Sequence, residues 1–442
     1  KYCSKSAFHG TGSRSSGGEC RGCMDLLKRE QIKYVFRPPK YSAALIPLLV
    51  RFSDHLYLRR KYNVQQVKVR GAEEVAKLCA QGHSVLVAPN HADHADPHAM
   101  AHVGRRYDLP FHFMAAREVF EKQGAIGNWA LQRMGAFSVD REGADFSAIK
   151  TAMALLRQGR HPLVIFPEGE IYHHHERLAP LNEGVATILL RSMKGREAED
   201  NESYLVPTAL RYAYDESVAG TYSARLSRLE ERITWKPREG SDPVDRIYRL
   251  GSGLLATKEV EFLGTSGSGE LVERIVGLQH ALVGRIENAH YGEERDGTIP
   301  ERVKALRSTI RVELTDETLE GKEPQRERQL YDDLDTIFVA VQLYSYPGQY
   351  LKESPTLHRI AETLVKLEED VLGEGSYPTP RSVTVRFGEP ISVRGFLDRL
   401  GLTVKKAVAP LTEILADDIQ SMLEELTSED RLSEDSPSVS GG

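Results

Sequence analysis

Between residues 65 and 214 the chain switches repeatedly between two hydrophobic periods. Val67-Lys68-Val69-Arg70-Gly71 alternates like a half-buried strand, and Ala72 to Ala80 then carries apolar positions at helical spacing. Ser84 to Ala88 is a continuous apolar run of strand length. Asp96 to Arg105 fits a helix, Phe111 to Met114 a strand, Asn128 to Met134 a helical segment and Phe137 to Val139 another short strand. Phe146 to Gln158 places Ile149, Ala152, Leu155 and Leu156 on one side of a helix. Leu163 to Phe166 then reads as a buried strand, Gly184 to Ser192 as a helix and Tyr204 to Leu210 as the next strand. Strands separated by helices require crossover connections, so the pattern predicts an α/β fold with a mainly parallel or mixed sheet flanked by helices.

The pattern changes on both sides of this 65–214 core. Residues 1–28 are rich in Gly, Ser and charge and are expected to be flexible, whereas 29–64 hold Leu45, Ile46, Leu49, Val50, Phe52, Leu56 and Leu58 at spacings of three and four. That spacing predicts an amphipathic helix ending near Arg59-Arg60-Lys61, its apolar side meeting either the neighbouring domain or a membrane surface. Residues 215–376 are charge-rich and helical, notably over Leu271 to Ile286, Pro300 to Leu314, Glu323 to Leu343 and Thr356 to Leu372. Strand texture returns at Ser382 to Phe387 and Ile391 to Val393. Such a pair cannot bury its faces alone, which predicts that it rejoins the first sheet and makes 215–376 a large helical insertion before a returning strand. Residues 377–427 therefore complete the core with a last helix over about Val404 to Leu426, and the Ser/Asp/Gly-rich 428–442 are expected to be disordered.

Composition narrows the class. With 40% hydrophobic and 28% charged residues, and 58 basic against 64 acidic side chains for a net charge of -6, the chain has a globular balance and no overall electrostatic footprint for nucleic acid. No run approaches the roughly 18 apolar residues of a membrane span. Four cysteines, Cys3, Cys20, Cys23 and Cys79, suit a reducing compartment, and Cys20 and Cys23 are expected to be free thiols.

Chemistry concentrates where the Val85-Leu86-Val87-Ala88-Pro89 strand opens into Asn90, His91, Asp93, His94, Asp96 and His98, five ionisable side chains within eight residues. A metal reading is available, since histidines and carboxylates ligate zinc, but the order HADHADPH is not that of the HxHxDH hydrolases and the remaining ligands must come from later loops. His173-His174-His175 is the other dense source. Three consecutive imidazoles point in different directions, so a solvated polar loop is expected there. The acid–base reading needs fewer residues: His91 and Asp96, five positions apart across a strand-to-helix turn, can bring the carboxylate to one ring nitrogen and leave the other to take a proton. His94 and His98 are expected to make local hydrogen bonds, and Asp93 either to do so or to be solvated.

Asn90-His91-Ala92-Asp93-His94-Ala95-Asp96 resembles the NHx4D motif of the glycerolipid acyltransferases, which act on glycerol-3-phosphate and 1-acylglycerol-3-phosphate. Further blocks follow in order: Gly135-Ala136-Phe137-Ser138-Val139-Asp140-Arg141, Phe166-Pro167-Glu168-Gly169, Leu205-Val206-Pro207-Thr208 and the late Val385 to Ile391 with its GEPI. The resemblance implies that His91 is the general base and Asp96 its orienting partner, and that Asn90, Gly135, Arg141, Phe166, Pro167, Glu168, Gly169 and Pro207 serve substrate binding, with Arg141 on the acceptor phosphate and Glu168 with Gly169 at the acceptor. It implies O-acyl transfer from acyl-CoA or acyl-ACP (acyl carrier protein) to a glycerol-phosphate or lysophospholipid hydroxyl, with no cofactor and no metal. The expected partners are the lipid acceptor, the thioester donor and a peripheral membrane surface, without nucleic acid. The expected setting is intracellular, peripheral to a membrane or cytoplasmic, or an organelle if a targeting segment precedes Lys1. The alternatives are a metal-dependent hydrolase using the His/Asp cluster and a non-catalytic lipid-binding scaffold. Two departures stand out: His94 occupies a position where many members carry Ser, and Glu170-Ile171 replaces the usual Thr-Arg after FPEG. The lost positive charge would be restored by Lys122, Arg133 or Arg177.

Overall fold

A computed structural model describes residues 34–141, 145–193, 202–315, 324–346 and 348–434. Eight strands form one sheet: β1 (Val64–Arg70), β2 (Ser84–Pro89), β3 (His112–Ala116), β4 (Ala136–Val139), β5 (Leu163–Val164), β6 (Ser203–Tyr214), β7 (Arg381–Phe387) and β8 (Ile391–Ser392). Their order is β1-β7-β6-β2-β5-β3-β4, with β8 pairing β6. All neighbours run parallel except where β7 and β8 pair β6 antiparallel. The mixed α/β sheet expected from the pattern is the observed one, and the late strand does return, inserting between β1 and β6.

β2 explains why a plain apolar run is a strand. All six of its residues are buried, because helices cover both faces of the sheet. Val85 and Val87 face a core that includes Val75 and Leu78 of the Ala72–Ala80 helix and Ala99, Met100 and Val103 of the Asp96–Arg106 helix. Leu86 and Ala88 point the other way, to Ala152 and Leu156 of the Phe146–Gln158 helix, Leu189 of the Gly184–Ser192 helix and Leu415 and Ile419 of the Val408–Glu434 helix. The Phe146–Gln158 helix begins at Asp145, whose carboxylate caps the Ala148 N–H at 2.9 Å, and ends at Gly159 with φ 62°.

Several boundaries move for identifiable reasons. β5 pairs only through Leu163 and Val164 rather than through Phe166, because Pro167 has no N–H and the chain turns there. The last helix starts at Val408, after a separate Val393–Leu400 helix closed by Gly401 at φ 59°, and it runs to Glu434, into the segment expected to be disordered. Residues 435–442, the 1–28 segment and Cys3, Cys20 and Cys23 lie outside the described residues. Ile46–Ser53 is helical as expected and continues as a π-helical turn over Asp54–Lys61. Its apolar residues divide: Val50 is buried, while Leu48 and Phe52 are 66% and 59% exposed.

The segment between β6 and β7 is helical throughout its described parts. Besides the four expected helices it contains Tyr222–Ile233 and Pro243–Leu263. Leu278, Leu282, Leu306, Ile310 and Ile337 form one apolar cluster, and a second joins Leu226, Leu229, Leu250 and Leu364 to Tyr214 at the end of β6. Buried ion pairs, Arg246–Glu230, Arg225–Glu368 and Arg302–Glu287, fix the helices against each other. Because β6 parallels β2, the segment leaves the sheet at its carboxyl edge, where the His91 loop also lies.

Candidate active site

Three parallel strands release their functional residues on that edge: Asn90 to Asp96 after β2, Asp140 and Arg141 after β4, and Phe166 to Gly169 after β5. This is where open α/β sheets place their sites. β6 is twelve residues long and continues past the end of β2, the last paired residues being Pro89 and Thr208. The overrun forms a wall on which the His91 loop is fastened. The Asn90 side chain donates to the Leu210 carbonyl at 3.1 Å and accepts from the Leu210 N–H at 2.7 Å, taking the place of a ladder partner.

His91 and Asp96 meet as the spacing required. His91 Nδ1 lies 2.9 Å from Asp96 Oδ2, and the same oxygen accepts the Asp93 N–H at 2.9 Å. Asp96 Oδ1 accepts the Tyr212 hydroxyl at 2.6 Å. A carboxylate only accepts, so Nδ1 carries the proton toward Asp96 and Nε2 presents its lone pair away from it. The imidazole, 15% exposed, stacks on Phe166 with centroids 4.1 Å apart and planes 24° from parallel. The ring is thus fixed by a carboxylate and an aromatic face.

Of the two alternatives open to Asp93, the local hydrogen bond is the one made, its Oδ1 accepting the Ala95 N–H at 2.8 Å. Asp93 is fully buried rather than solvated, and it makes a bidentate pair with Arg381, the first residue of β7, at 2.7 and 3.0 Å. Burial pushes its carboxyl up, but Arg381 outweighs this and holds it well below the usual carboxylate range. Arg381 also donates to the Tyr62 carbonyl at 2.7 Å and lies 3.9 Å over the Tyr377 ring. Through Asp93 it braces the backbone that holds Asp96.

Glu168 is drawn inward. Its oxygens accept the N–H groups of His91 at 2.6 Å and Ala179 at 3.1 Å, and burial pushes its carboxyl up to about 8 despite those donors. It ties the FPEG turn to the His91 backbone. Gly169, at φ 76°, closes that turn where a Cβ would lie 2.9 Å from Asn182 Nδ2. Asn182 in turn donates to the carbonyls of Pro167 and Glu168. Two other residues expected in substrate binding sit away from the edge. Gly135 precedes β4 at the strand's opposite end from Arg141, with φ 88° and an added Cβ 2.8 Å from the Phe111 carbonyl. Pro207 lies within β6, where its carbonyl accepts from Gly388 N–H at 2.8 Å, between the stretches paired to β7 and β8. Its missing donor therefore falls at a gap in the ladder.

Arg141 is on the edge, held by the Gly169 carbonyl, Glu170 at 3.1 Å and Glu118 at 3.5 Å. Next to it Asp140 pairs with Arg117, 3.5 Å away, and with Arg311 of the Ile299–Thr315 helix. Arg117 and Arg311, rather than the residues expected to restore charge, stand beside Arg141. Arg133 lies over the Trp129 ring, Lys122 is exposed at the end of the Arg117–Lys122 helix, and Arg177 is exposed on the loop after β5.

The triple histidine is not a solvated loop. His173 and His175 are buried, and with Glu176 they receive the Leu357–Leu372 helix. The His175 N–H donates to Glu362 at 3.0 Å, Arg359 pairs with Glu176 at 2.8 Å, and Glu369 lies 2.7 Å from His173 Nε2 and 3.2 Å from His94 Nε2. His94 and His98 are hydrogen-bonded as expected but not locally: His94 reaches Glu369 of that distant helix, and His98 Nδ1 lies 2.7 Å from the hydroxyl of Ser53 on the Ile46–Ser53 helix. Tyr212, Arg381, Arg117, Arg311 and Glu369 carry no motif in the sequence; each reaches the site only through sheet order or helix packing.

Residues 66–211 match the family described as Acyltransferase. Over 85 residues the chain is 38% identical to a 1-acyl-sn-glycerol-3-phosphate acyltransferase of Streptococcus pneumoniae. That stretch is 19% of this chain, and the chain spans about 30% of the length of that relative. The resemblance drawn from NHx4D, FPEG and their accompanying blocks is supported at the level of the family.

Proposed function

Because residues 66–211 are an acyltransferase-family domain, we propose that this chain moves a fatty acyl group from acyl-CoA or acyl-ACP to the hydroxyl of a glycerol-phosphate or lysophospholipid. The observation that carries this is His91 held by Asp96, itself held by Tyr212, on the same carboxyl edge of the sheet as Arg141. His91 Nε2 takes the proton of the acceptor hydroxyl as its oxygen attacks the thioester carbonyl. The tetrahedral intermediate collapses, the C–S bond breaks, and the imidazolium returns the proton to the leaving thiolate. Asp96 stabilises the imidazolium between those steps. Holding donor and acceptor together makes the step effectively intramolecular.

The acceptor phosphate is met by Arg141 with Arg117 and Arg311, whose planar forks match phosphate oxygens. It enters by displacing Glu170 or Glu118 from Arg141. A glycerolipid acceptor partitions to bilayers, and the exposed Leu48 and Phe52, with Arg51 and Arg59-Arg60-Lys61 close in sequence, supply a peripheral membrane contact. Among the described residues no helix is long and apolar enough to cross a membrane.

The test pairs acyl thioesters with glycerol-3-phosphate and 1-acylglycerol-3-phosphate and reads thiol release and lipid product by mass spectrometry. Acceptor-dependent acylation, abolished by His91→Ala, is expected. Turnover that proceeds without an acyl donor, or none across the panel, overturns the proposal.

A further inference from the structure

The His94, His173 and Glu369 side chains converge from three separate segments, and the acyl transfer proposed above uses none of them. His94 comes from the His91–Asp96 loop, His173 from the loop after β5 and Glu369 from the Leu357–Leu372 helix. One donor atom from each lies within 4.8 Å of the other two. Glu369 Oε2 is 2.7 Å from His173 Nε2 and 3.2 Å from His94 Nε2, and the two imidazoles meet edge to face at 5.6 Å. Donors bound to one zinc ion at roughly 2.0–2.1 Å in tetrahedral geometry are themselves about 3.3 Å apart. The two Glu369 separations, 2.7 and 3.2 Å, fall just below that distance and no pair of donors is more than 4.8 Å apart, so small side-chain rotations bring all three onto one ion.

We propose that His94, His173 and Glu369 form a site for a zinc-class divalent transition metal, which fastens the helical segment between β6 and β7 to the loop that carries His91 and Asp96. Two imidazoles and one carboxylate select zinc, cobalt or nickel over magnesium or calcium, which prefer oxygen. Three protein ligands leave a fourth position, and the partial exposure of His94 and Glu369, at 42% and 31%, opens it to water. His173 is 2% exposed and adopts φ 55°. That left-handed backbone is unfavourable for a histidine and turns this one imidazole of the triplet toward Glu369. Asp93 is not a competing ligand, because both its oxygens are occupied by Arg381. The ion takes no part in the acyl transfer. It sets how firmly the helical segment holds the catalytic loop.

The test is metal binding by the full chain, stripped of metal and carrying Cys20→Ser and Cys23→Ser so that those thiols do not compete. Titration with zinc is followed by calorimetry, and with cobalt by the visible absorption of a four-coordinate ion. One equivalent is expected, with affinity lowered about tenfold or more by His94→Gln and by Glu369→Gln and unchanged by His55→Gln, an exposed histidine elsewhere. Zinc should raise the melting temperature of the parent chain and not that of Glu369→Gln. Absence of binding, or binding that both substitutions leave intact, overturns the site. His94 and Glu369 are partly exposed, so the outcome does not depend on the folding of a His173 variant. Because binding is the readout, failure of the acyl-transfer reading leaves the result interpretable.

Discussion

Asp96 has two carboxylate oxygens and three partners, and that division determines what each substitution should do. One oxygen serves both His91 and the Asp93 N–H, and the other serves Tyr212. Asp96→Asn keeps the shape but can turn its amide N–H₂ toward His91, favouring the wrong ring tautomer. The expected outcome is a loss of about 10²–10⁴-fold in kcat, measured by thiol release under saturating substrates. Tyr212→Phe removes one hydrogen bond from the carboxylate and should cost about tenfold in kcat, with KM little changed because the hydroxyl points at Asp96 and not at the edge. The His91 and Asp96 pair was legible in the sequence because five residues of turn suffice to join them. Tyr212 was not, since its distance from Asp96 along the chain is bridged only by the overrun of β6. Glu168 was legible as a site residue but not as a brace. The letters FPEG do not say which way a carboxylate turns.

At the scale of single elements, the site depends on what holds the His91 loop from behind. Arg381 and Asp93, each with a fully buried side chain, are such a brace between β7 and the loop. Asp93→Ala leaves the guanidinium buried without its partner and should destabilise the fold by about 3–5 kcal/mol, read from the urea midpoint. The Leu357–Leu372 helix supplies a second support through Glu362, whose carboxyl burial pushes up to about 8. A carboxyl with a raised folded-state pKa binds its proton more tightly folded than unfolded. Its contribution is therefore fully present below its ordinary 4.5 and is lost as pH rises toward 8. Glu362→Gln should flatten that decline, so the melting temperature of the parent should fall more steeply with pH than that of the variant across this window. Coincident curves would refute the assignment. Helix existence here was readable from apolar spacing, whereas docking was not. The same histidines that suit a solvated loop also suit a buried one when acidic partners arrive from a distant helix.

For the whole molecule, the alternation of strand and helix patterns between 65 and 214 was enough to specify an α/β sheet, and the isolated late strand was enough to require its return. Strand order was beyond reach, since nothing in β7 states that it separates β1 from β6. The face proposed to meet lipid is a property of this assembly rather than of one helix. Packing against the Asp96–Arg106 helix consumes Val50 and leaves Leu48 and Phe52 outside. Replacing both with Asp should lower co-flotation with anionic vesicles about tenfold or more, without altering the melting temperature. Unchanged flotation would move the membrane contact elsewhere.

The junction between β6 and β7 has a further consequence in polymer terms. Tyr214 faces Arg381 across an antiparallel pair, and the Asp215 N–H still reaches the Pro380 carbonyl at 3.1 Å. The sheet itself therefore holds the two ends of the helical segment together, and the entropy of closing that excursion grows only with the logarithm of its length, about 0.6 kcal/mol for each doubling. At this one junction the chain can carry a long excursion or a short one with almost the same effect on the core, so its length is set by what the excursion does for the His91 loop rather than by what the sheet can tolerate.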